Sequence, residues 1–544
     1  MKNPLHLCLR QPLLALLACA ALALVWSLPA LIMGDGFGFF PHMEARNLAV
    51  SGLFSFTDTL GRTLSTDLVS TIGVPSAADG RLSRVLIAWL SQGIVWGDLV
   101  SWTIAGSAVL AIGMFFWWAT VLKLFNKRTA WTTLIITALM PVYFREAVWF
   151  DNYNLALTCL SASAAAFVWL KDKRPMVALL VAGLLFGASI SAKDVFLIMI
   201  PWLGVTFLWK RQWKGGAVFF IAALAVYMVP YLSDISTLGY PVNQNIARVW
   251  PGAEAIANET YLHLYPDPYT YYFDRAAFDE QFIAAVETKP LSDRMRDEKV
   301  MMSYGLADGI FRRVRLGTWL IANDIPPFFQ RQASGGAFLW IFAIPGFIAL
   351  WRRDKKLVLW LLGLVFSMYI AIRFVLLYER SHFMNIAWVY ALFVGYGIAE
   401  VSTMQRQMRA SVVTALLVAV CALQLLQANR YEFAARYRRS TVADLRGTAE
   451  ALKSLPEGSV IALEAHPSDI ETLALLSNKT ITLFREETLL KLQGSGKLAN
   501  VLTEYGVTHA LDYDMRTPAI NISSDESVSA PPSAFTKWLI HLVR

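Results

Sequence analysis

Charge is scarce in this chain of 544 residues: only 16% of them are Asp, Glu, Lys or Arg, whereas 56% are hydrophobic. Soluble domains carry about 25% charged residues, so this composition excludes a water-soluble protein for most of the chain. The formal net charge of +8 does not indicate a nucleic-acid partner, because many Lys and Arg residues fall in short loops between apolar runs, where they determine topology. The composition predicts a polytopic α-helical membrane protein.

Cysteine is also rare. The four cysteines lie in or beside apolar runs, as Cys8, Cys19, Cys159 and Cys421. Their spacing matches neither a disulfide framework nor a zinc site. No A-x-A cleavage site closes the first apolar run, Leu13 to Met33. Because this run is about as long as a bilayer span, we predict a retained helix rather than a cleaved signal.

Runs of about 20 apolar residues, with shorter ones tolerated, predict about eleven transmembrane helices. They lie near residues 13–33, 99–125, 130–144, 154–170, 175–191, 195–209, 215–232, 336–351, 357–377, 385–400 and 411–427. A further apolar segment, residues 82–96, is short. Arg81 immediately precedes it, and Arg84 lies within it. We predict that this segment is a helix on the membrane surface.

The loops between these spans alternate in charge. Basic residues mark six loops of one side: Lys2/Arg10, Lys123/Lys127/Arg128, Lys171/Lys173/Arg174, Lys210/Arg211/Lys214, Arg352/Arg353/Lys355/Lys356 and Arg406/Arg409. By the positive-inside rule that side is the cytoplasm. Residues 34–98, 145–153, 233–335 and 378–384 and the C-terminus are then predicted to be periplasmic, in a multi-pass protein of a bacterial inner membrane.

The composition becomes water-soluble after residue 430. Strand-like runs at 459–464, 480–485 and 508–514 alternate with helical segments, which is the pattern of a largely parallel sheet. We therefore predict a transmembrane domain of residues 1–430 and a small periplasmic α/β domain of residues 431–544. The latter lacks a glycine-rich phosphate loop and a nucleophile elbow, so binding or scaffolding fits it better than catalysis.

The large outer loop, residues 233–335, ends in GIFRRVRLGTWLIANDIPPFF, which mixes basic and apolar residues at helical spacing. One interpretation is an interfacial segment that binds an anionic lipid head group. The other is a cap packed over the helix bundle with a solvated basic face. The sequence alone leaves both open.

Ionisable side chains at a membrane edge are costly and often functional, and the unusual ones all fall on the predicted outer side. They are Asp35, Glu44 and Arg46, then Arg145, Glu146 and Asp151, then Lys193 and Asp194, and finally Arg373, Tyr378, Glu379, Arg380 and His382. Such a cluster suits transfer between a lipid-borne phosphate and a hydroxyl. A carboxylate takes the hydroxyl proton, and cations stabilise the departing phosphate.

Each of these residues alone also has a structural interpretation. Arg145 and Glu146 could form an ion pair, the Lys193 side chain could extend to the head groups, and a lone His382 is more often structural than catalytic. The predicted topology favours the functional interpretation, because it collects the residues on one face.

Several short motifs resemble the GT-C superfamily of membrane glycosyltransferases, especially the aminoarabinose transferases of lipid A and the protein O-mannosyltransferases. They are Asp35 beyond the first span, HMEARNLAVSG, the surface helix before the second span, WFDNYNLAL, GASISAKDV and YERSHF. The sequence departs from the family pattern at Gly36, commonly Glu, at GRLSR, which replaces a basic-proline-proline signature, and at Asp194, commonly Gly.

The resemblance implies roles for individual residues. Asp35 would be the base that activates the acceptor, and Asp151 would be the second acidic position. The residues expected to bind substrate are Glu44, Arg46, Arg81, Arg84, Lys193, Tyr378, Glu379, Arg380 and His382. Because of the departures, the residue that holds the donor phosphate stays open among Arg81, Arg84 and Arg380.

The resemblance also implies a polyprenyl-phosphate-linked sugar as donor, transfer on the periplasmic face and inversion at the anomeric carbon. The acceptor stays open between lipid A, a glycan and a protein. No DxD-type acidic pair occurs in the first two outer loops, so we expect no cofactor and leave a divalent metal open.

Two other classes of function compete with this interpretation. A transporter or flippase of a lipid-linked glycan would be expected to carry charges in the middle of its spans and an internal repeat. The predicted spans are nearly free of charge, and neither half of the sequence resembles the other. A non-catalytic assembly or sensor protein would leave the outer acids unexplained.

Overall fold

The computed structural model describes residues 4–33, 45, 80–95, 98–140, 152–232, 318, 321, 337–376, 384–403, 407–439, 442–456, 458–463, 473–474, 476–483, 507–511 and 520–521. The first helices are α1 (Pro4–Met33), α2 (Arg81–Leu90), α3 (Leu99–Leu124), α4 (Lys127–Leu139), α5 (Asn152–Leu170) and α6 (Pro175–Ala192). They are followed by α7 (Ile200–Trp209), α8 (Trp213–Met228), α9 (Trp340–Arg353), α10 (Lys355–Ile370), α11 (Met384–Thr403), α12 (Gln407–Arg439) and α13 (Val442–Lys453). Short 3-10 helices cover Asp194–Met199, Val229–Tyr231 and Ala337–Leu339, and a π-helical turn covers Ala371–Leu376.

The apolar helices overlap the predicted apolar runs, although several bounds differ: α1 begins at Pro4 and α12 ends at Arg439. Some helix ends follow local chemistry. The Asn126 side chain accepts a hydrogen bond from the Thr129 amide at the start of α4, and α6 begins with Pro175, both common N-terminal signals. The run predicted at residues 130–144 is wrong at its C-terminal end, because α4 ends at Leu139. Met140 is extended, as residues before a proline tend to be.

Among the described residues, four helices are long and apolar enough to cross a membrane, at Val100–Leu124, Tyr153–Leu170, Pro175–Ala192 and Trp213–Tyr231. Shorter apolar helices occur at Gln11–Val25, Asp194–Trp209, Ile386–Ser402 and Ala410–Leu426. The predicted total of about eleven spans stays a prediction.

Glycine allows the helices that surround residue 193 to pack closely. A Cβ on Gly183 or Gly187 of α6 would lie closer than 3.0 Å to the α8 backbone at Phe219 or Ala223. This spacing is the small-xxx-small pattern of packed membrane helices. On another side of α6, Ser189 Oγ donates to the Ala156 carbonyl of α5 at 2.8 Å. These contacts join α5, α6 and α8.

A second group of helices is joined in the same way. Gly346 of α9 faces the α11 backbone at Phe393 and Gly397. Thr132 Oγ1 of α4 donates to the Gly395 carbonyl of α11 at 2.8 Å. Close approach of backbones lets dispersion contacts and interhelical hydrogen bonds hold the helices together without a water-driven hydrophobic effect.

The C-terminal strands form a four-stranded sheet in the order β2-β1-β3-β4, with β1 at Val460–Leu463, β2 at Thr480–Leu483, β3 at His509–Leu511 and β4 at Ile520–Asn521. The first three strands lie where the sequence predicts them and are mutually parallel, whereas β4 pairs antiparallel with β3. The sequence pattern did not predict β4. The separate periplasmic domain of residues 431–544 stays a prediction.

The chain divides into two compact units. One comprises Met1–Ile32, Thr103–Pro230 and Gly305–Arg439, and the other comprises Met33–Trp102, Tyr231–Tyr304 and Ser440–Arg544. The first contains most of the apolar helices, and the second contains α2, α13 and the sheet. Helix α12 continues without a break past residue 430 to Arg439, because residues 427–439 contain neither Gly nor Pro.

Candidate functional site

Three of the residues predicted for the site are described: Arg81 and Arg84 in the second unit, and Lys193 in the first. The others lie outside the described residues, and their roles stay predictions: Asp35, Glu44, Arg46, Asp151, Tyr378, Glu379, Arg380 and His382.

Helix α2 buries its basic side. Arg81 is 0% exposed and Arg84 is 2% exposed, whereas Trp89 on another side of the helix is 62% exposed. A water-soluble amphipathic helix shows the opposite arrangement, with apolar residues inside and charged ones outside. The helix has only ten residues, which is too short to span a bilayer. The exposed side of α2 is apolar, with Val85 37% and Trp89 62% exposed, and its predicted position on the membrane surface stays a prediction.

The start of α2 is fixed by local backbone chemistry. Gly80 adopts a left-handed conformation with φ 87° immediately before the helix, which glycine adopts without a steric cost. Ser83 Oγ donates a hydrogen bond to the Gly80 carbonyl at 2.6 Å. Arg81 and Arg84 are three positions apart, so their side chains emerge from the same face of the helix.

Arg81 also has an aromatic partner far away in the sequence. Its guanidinium carbon lies 5.7 Å from the centroid of the Tyr231 ring, and Tyr231 is fully buried. A guanidinium over a buried ring gains about 2 kcal/mol or more when it is desolvated. Tyr231 was not predicted as a site residue, although its position at the end of the apolar run of α8 is a signal that could have indicated it.

Lys193 lies at the C-terminal end of α6, where the backbone becomes extended. Its Nζ atom lies 5.0 Å from the centroid of the ring of Tyr153, the second residue of α5. Asp194 follows as the first residue of a 3-10 helix and is buried. The cation–π contact places the ammonium group next to Tyr153 in the first turn of α5. In the sequence, Tyr153 is two positions after Asp151.

The buried arginines of α2 differ in exposure from the cations of the predicted cytoplasmic loops. Lys171, Lys210 and Lys355 lie exposed at helix ends. Lys123 pairs with Asp172 at 3.5 Å, and both side chains are more than a third exposed. Exposed cations of this kind determine topology at little energetic cost. Arg81 and Arg84 are buried, and buried cations require compensation by anionic or aromatic groups, such as the Tyr231 ring beside Arg81.

A metal site depends on acidic residues that lie largely outside the described part of the chain. Within that part, no group of three or more His, Cys, Asp or Glu side chains is arranged to hold a metal ion.

Comparison with solved structures identifies the fold. The oligosaccharyltransferase of Archaeoglobus fulgidus, in complex with Zn and sulfate, aligns with a TM-score of 0.54 and 12% identity over 91% of this chain and 67% of that one. ArnT from Cupriavidus metallidurans, bound to undecaprenyl phosphate, aligns with a TM-score of 0.50 and 12% identity over 90% of this chain and 87% of that one.

A third structure, AglB from Archaeoglobus fulgidus in complex with an inhibitory peptide and a dolichol-phosphate, aligns with a TM-score of 0.54 and 11% identity over 92% of this chain and 69% of that one. No family model and no curated protein sequence matches the chain. At these identities the likeness concerns the fold. The chain therefore has a GT-C-like membrane fold, similar to those of ArnT and the archaeal oligosaccharyltransferase, as the resemblance of its motifs implies.

Proposed function

We propose that this protein is a glycosyltransferase that moves a sugar from a polyprenyl-phosphate-linked donor to an acceptor on the periplasmic face of the inner membrane. The fold supports this proposal, because two proteins of similar fold were solved with lipid phosphates, a dolichol-phosphate in AglB and undecaprenyl phosphate in ArnT. The acceptor is a lipid, a glycan or a protein with a nucleophilic group at the outer membrane surface.

The observation that carries the proposal is the buried arginine pair of α2. Two guanidinium groups on one helix face provide planar arrays of N–H donors, which bind phosphate oxygens in a bidentate manner. The exposed Trp89 side of the same helix supports a position at the level of lipid head groups. We infer that a lipid phosphate enters the protein at this level to reach the buried Arg81 and Arg84.

In the proposed reaction, the Asp35 carboxylate takes the proton of the acceptor hydroxyl. The acceptor oxygen attacks the anomeric carbon from the side opposite the phosphate, so the configuration inverts. The bond between the anomeric carbon and the phosphate oxygen breaks, and the electron pair remains on the departing polyprenyl phosphate. Arg81 and Arg84 stabilise the charge that develops on this leaving group.

Lys193 and Asp151 complete the proposal. Lys193 Nζ lies 5.0 Å from the centroid of the Tyr153 ring, and Asp151 precedes Tyr153 by two positions in the sequence. We infer that the Lys193 ammonium group binds a substrate oxygen and that Asp151 is the second acidic group of the site.

The test is sugar transfer by the purified full-length protein in nanodiscs, with a panel of polyprenyl-phosphate sugars as donors. We expect consumption of at least one donor and release of polyprenyl phosphate. Asp35→Asn should fold and bind lipid but turn over at least a hundredfold more slowly, as expected for loss of a general base. Asp172→Asn is the matched control, because it makes the same change at an exposed loop residue and should retain activity.

Two results would contradict the proposal in different ways. Full activity of Asp35→Asn would remove the assigned base and leave Asp151 as the next candidate. No consumption of any lipid-linked sugar by the wild type would contradict the enzyme assignment itself. Lipid flipping in vesicles would then be measured to test the alternative transporter function.

A further inference from the structure

The loops 170–175 and 209–213 lie next to each other at one end of the helix bundle. Three contacts place α6 and α8 side by side and parallel: Leu179 meets Gly215, Gly183 meets Phe219, and Gly187 meets Ala223. The offset along the chain is the same in all three pairs. One helical turn before Leu179 and Gly215, residue 175 at the start of α6 lies level with residue 211 in the loop between α7 and α8.

This end of the bundle carries a dense positive charge. Residues 171–174 and 209–214, which we call the basic–tryptophan patch, include six Lys and Arg residues and one acid, Asp172. The acid is paired with Lys123 at 3.5 Å. Within the described part of the chain, the structure gives no ion pair to the cations of the patch. All six cations are exposed to the surroundings.

Two indole rings flank the charges of the second loop. Trp209 ends α7 and is 81% exposed, and Trp213 begins α8 and is 64% exposed. A tight turn separates them, in which the Gln212 amide donates to the Phe207 carbonyl at 3.0 Å. Exposed tryptophan at the end of an apolar helix is typical of the head-group layer, where the ring contacts acyl chains and its N–H reaches polar groups.

We propose that the basic–tryptophan patch is a binding site for an anionic phospholipid with more than one negative charge, separate from the proposed site of sugar transfer. Several closely spaced cations match a head group with two phosphates better than one with a single charge. The tryptophan rings favour a membrane lipid over a soluble phosphate, because only the lipid brings acyl chains to the rings. The site holds the lipid non-covalently and requires no reaction.

The test is native mass spectrometry of the delipidated full-length protein, titrated with cardiolipin and, in parallel, with phosphatidylethanolamine. We expect cardiolipin to bind preferentially and its binding to weaken as the salt concentration rises. Lys173→Gln/Lys210→Gln/Lys214→Gln should weaken cardiolipin binding by about fivefold per cation, on the order of a hundredfold in total. The matched control, Arg352→Gln/Lys355→Gln/Lys356→Gln, removes three exposed cations at another helix end and should change binding by less than about threefold.

A second variant tests the lipid assignment without changing the charge. Trp209→Ser/Trp213→Ser should weaken cardiolipin binding several-fold, and it remains informative if the charge variant fails to fold. An equal loss in the control and patch variants would overturn the proposal, because the effect would then be general electrostatics. Displacement of cardiolipin by millimolar inorganic phosphate, with no effect of the tryptophan changes, would also overturn it and indicate a soluble-anion site. The outcome does not depend on whether the protein transfers sugar.

Discussion

Replacement of Arg81 by Gln should abolish most donor binding while leaving the protein folded. The guanidinium is fully buried and contacts the ring of Tyr231. Truncation of one partner of a buried, hydrogen-bonded charge pair costs about 2–5 kcal/mol. Because about 1.4 kcal/mol corresponds to a factor of ten, kcat/KM for the lipid-linked donor should fall by roughly 30-fold to several thousand-fold.

A graded series separates charge from geometry at this position. Arg81→Lys keeps the positive charge but loses the planar array of donors, so it should lie between wild type and Arg81→Gln. Tyr231→Leu removes the ring but not the cation, and the loss of about 2 kcal/mol predicts an effect of roughly 30-fold. Arg352→Gln, at an exposed helix end, is the control and should change kcat/KM by less than about twofold.

The assay is steady-state transfer in nanodiscs, with the donor varied and circular dichroism and thermal unfolding used to check folding. If Arg81 binds the donor, Arg81→Gln should raise the donor KM. If Arg81 stabilises the leaving phosphate, Arg81→Gln should lower kcat. A folded Arg81→Gln variant that retains more than about a third of the wild-type kcat/KM would refute the role of Arg81 in donor binding. The same conclusion follows if the Arg352 control loses as much activity as Arg81→Gln.

Three further predictions concern stability. Gly187→Val should destabilise the bundle by about 1–3 kcal/mol, because any Cβ would collide with the α8 backbone; thermal unfolding in detergent measures this, and an unchanged transition would contradict the packing described. Ser101 donates two hydrogen bonds to the Asp98 carboxylate, which lowers the pKa of this group. Its contribution is therefore present at neutral pH and lost as the pH falls below about 4, so Asp98→Ala should increase hydrogen exchange at the start of α3 at pH 7 but not in acid. Burial, together with the charge of Lys479, lowers the pKa of His509. The unfolded chain then binds more protons than the folded one below about pH 6.5, so the sheet should lose protection from hydrogen exchange between pH 7 and 5, and His509→Gln should remove this dependence.

Much of the helical architecture could be predicted from the sequence, because each element is encoded locally. A membrane-spanning helix satisfies its own backbone hydrogen bonds and needs a continuous apolar run, so the runs at 99–125 and 175–191 correspond closely to α3 and α6. The parallel strands could be predicted because strand-like and helical periods alternate. Strand β4 has only two residues and depends on pairing with β3, so no local pattern indicated it.

The candidate site was predicted only in part. The sequence placed Arg81 and Arg84 beside a membrane-surface helix, since a short amphipathic run with arginine is recognisable locally. Their burial was not predictable, because amphipathicity does not specify which face contacts protein when the surroundings are lipid. Tyr231 was missed because it is about 150 positions further along the chain than Arg81.

The sequence by itself determined that this is a membrane protein, roughly where most of its apolar helices lie, and which residues have the chemistry to bind phosphate. These properties depend on transfer of single residues from water and on hydrogen bonds within one element. Only the tertiary structure decided that α2 turns its arginines inward, that Tyr231 lies under Arg81, and that α6 and α8 run parallel in close contact. Those features arise from packing between distant segments, where shape and desolvation act on many residues at once.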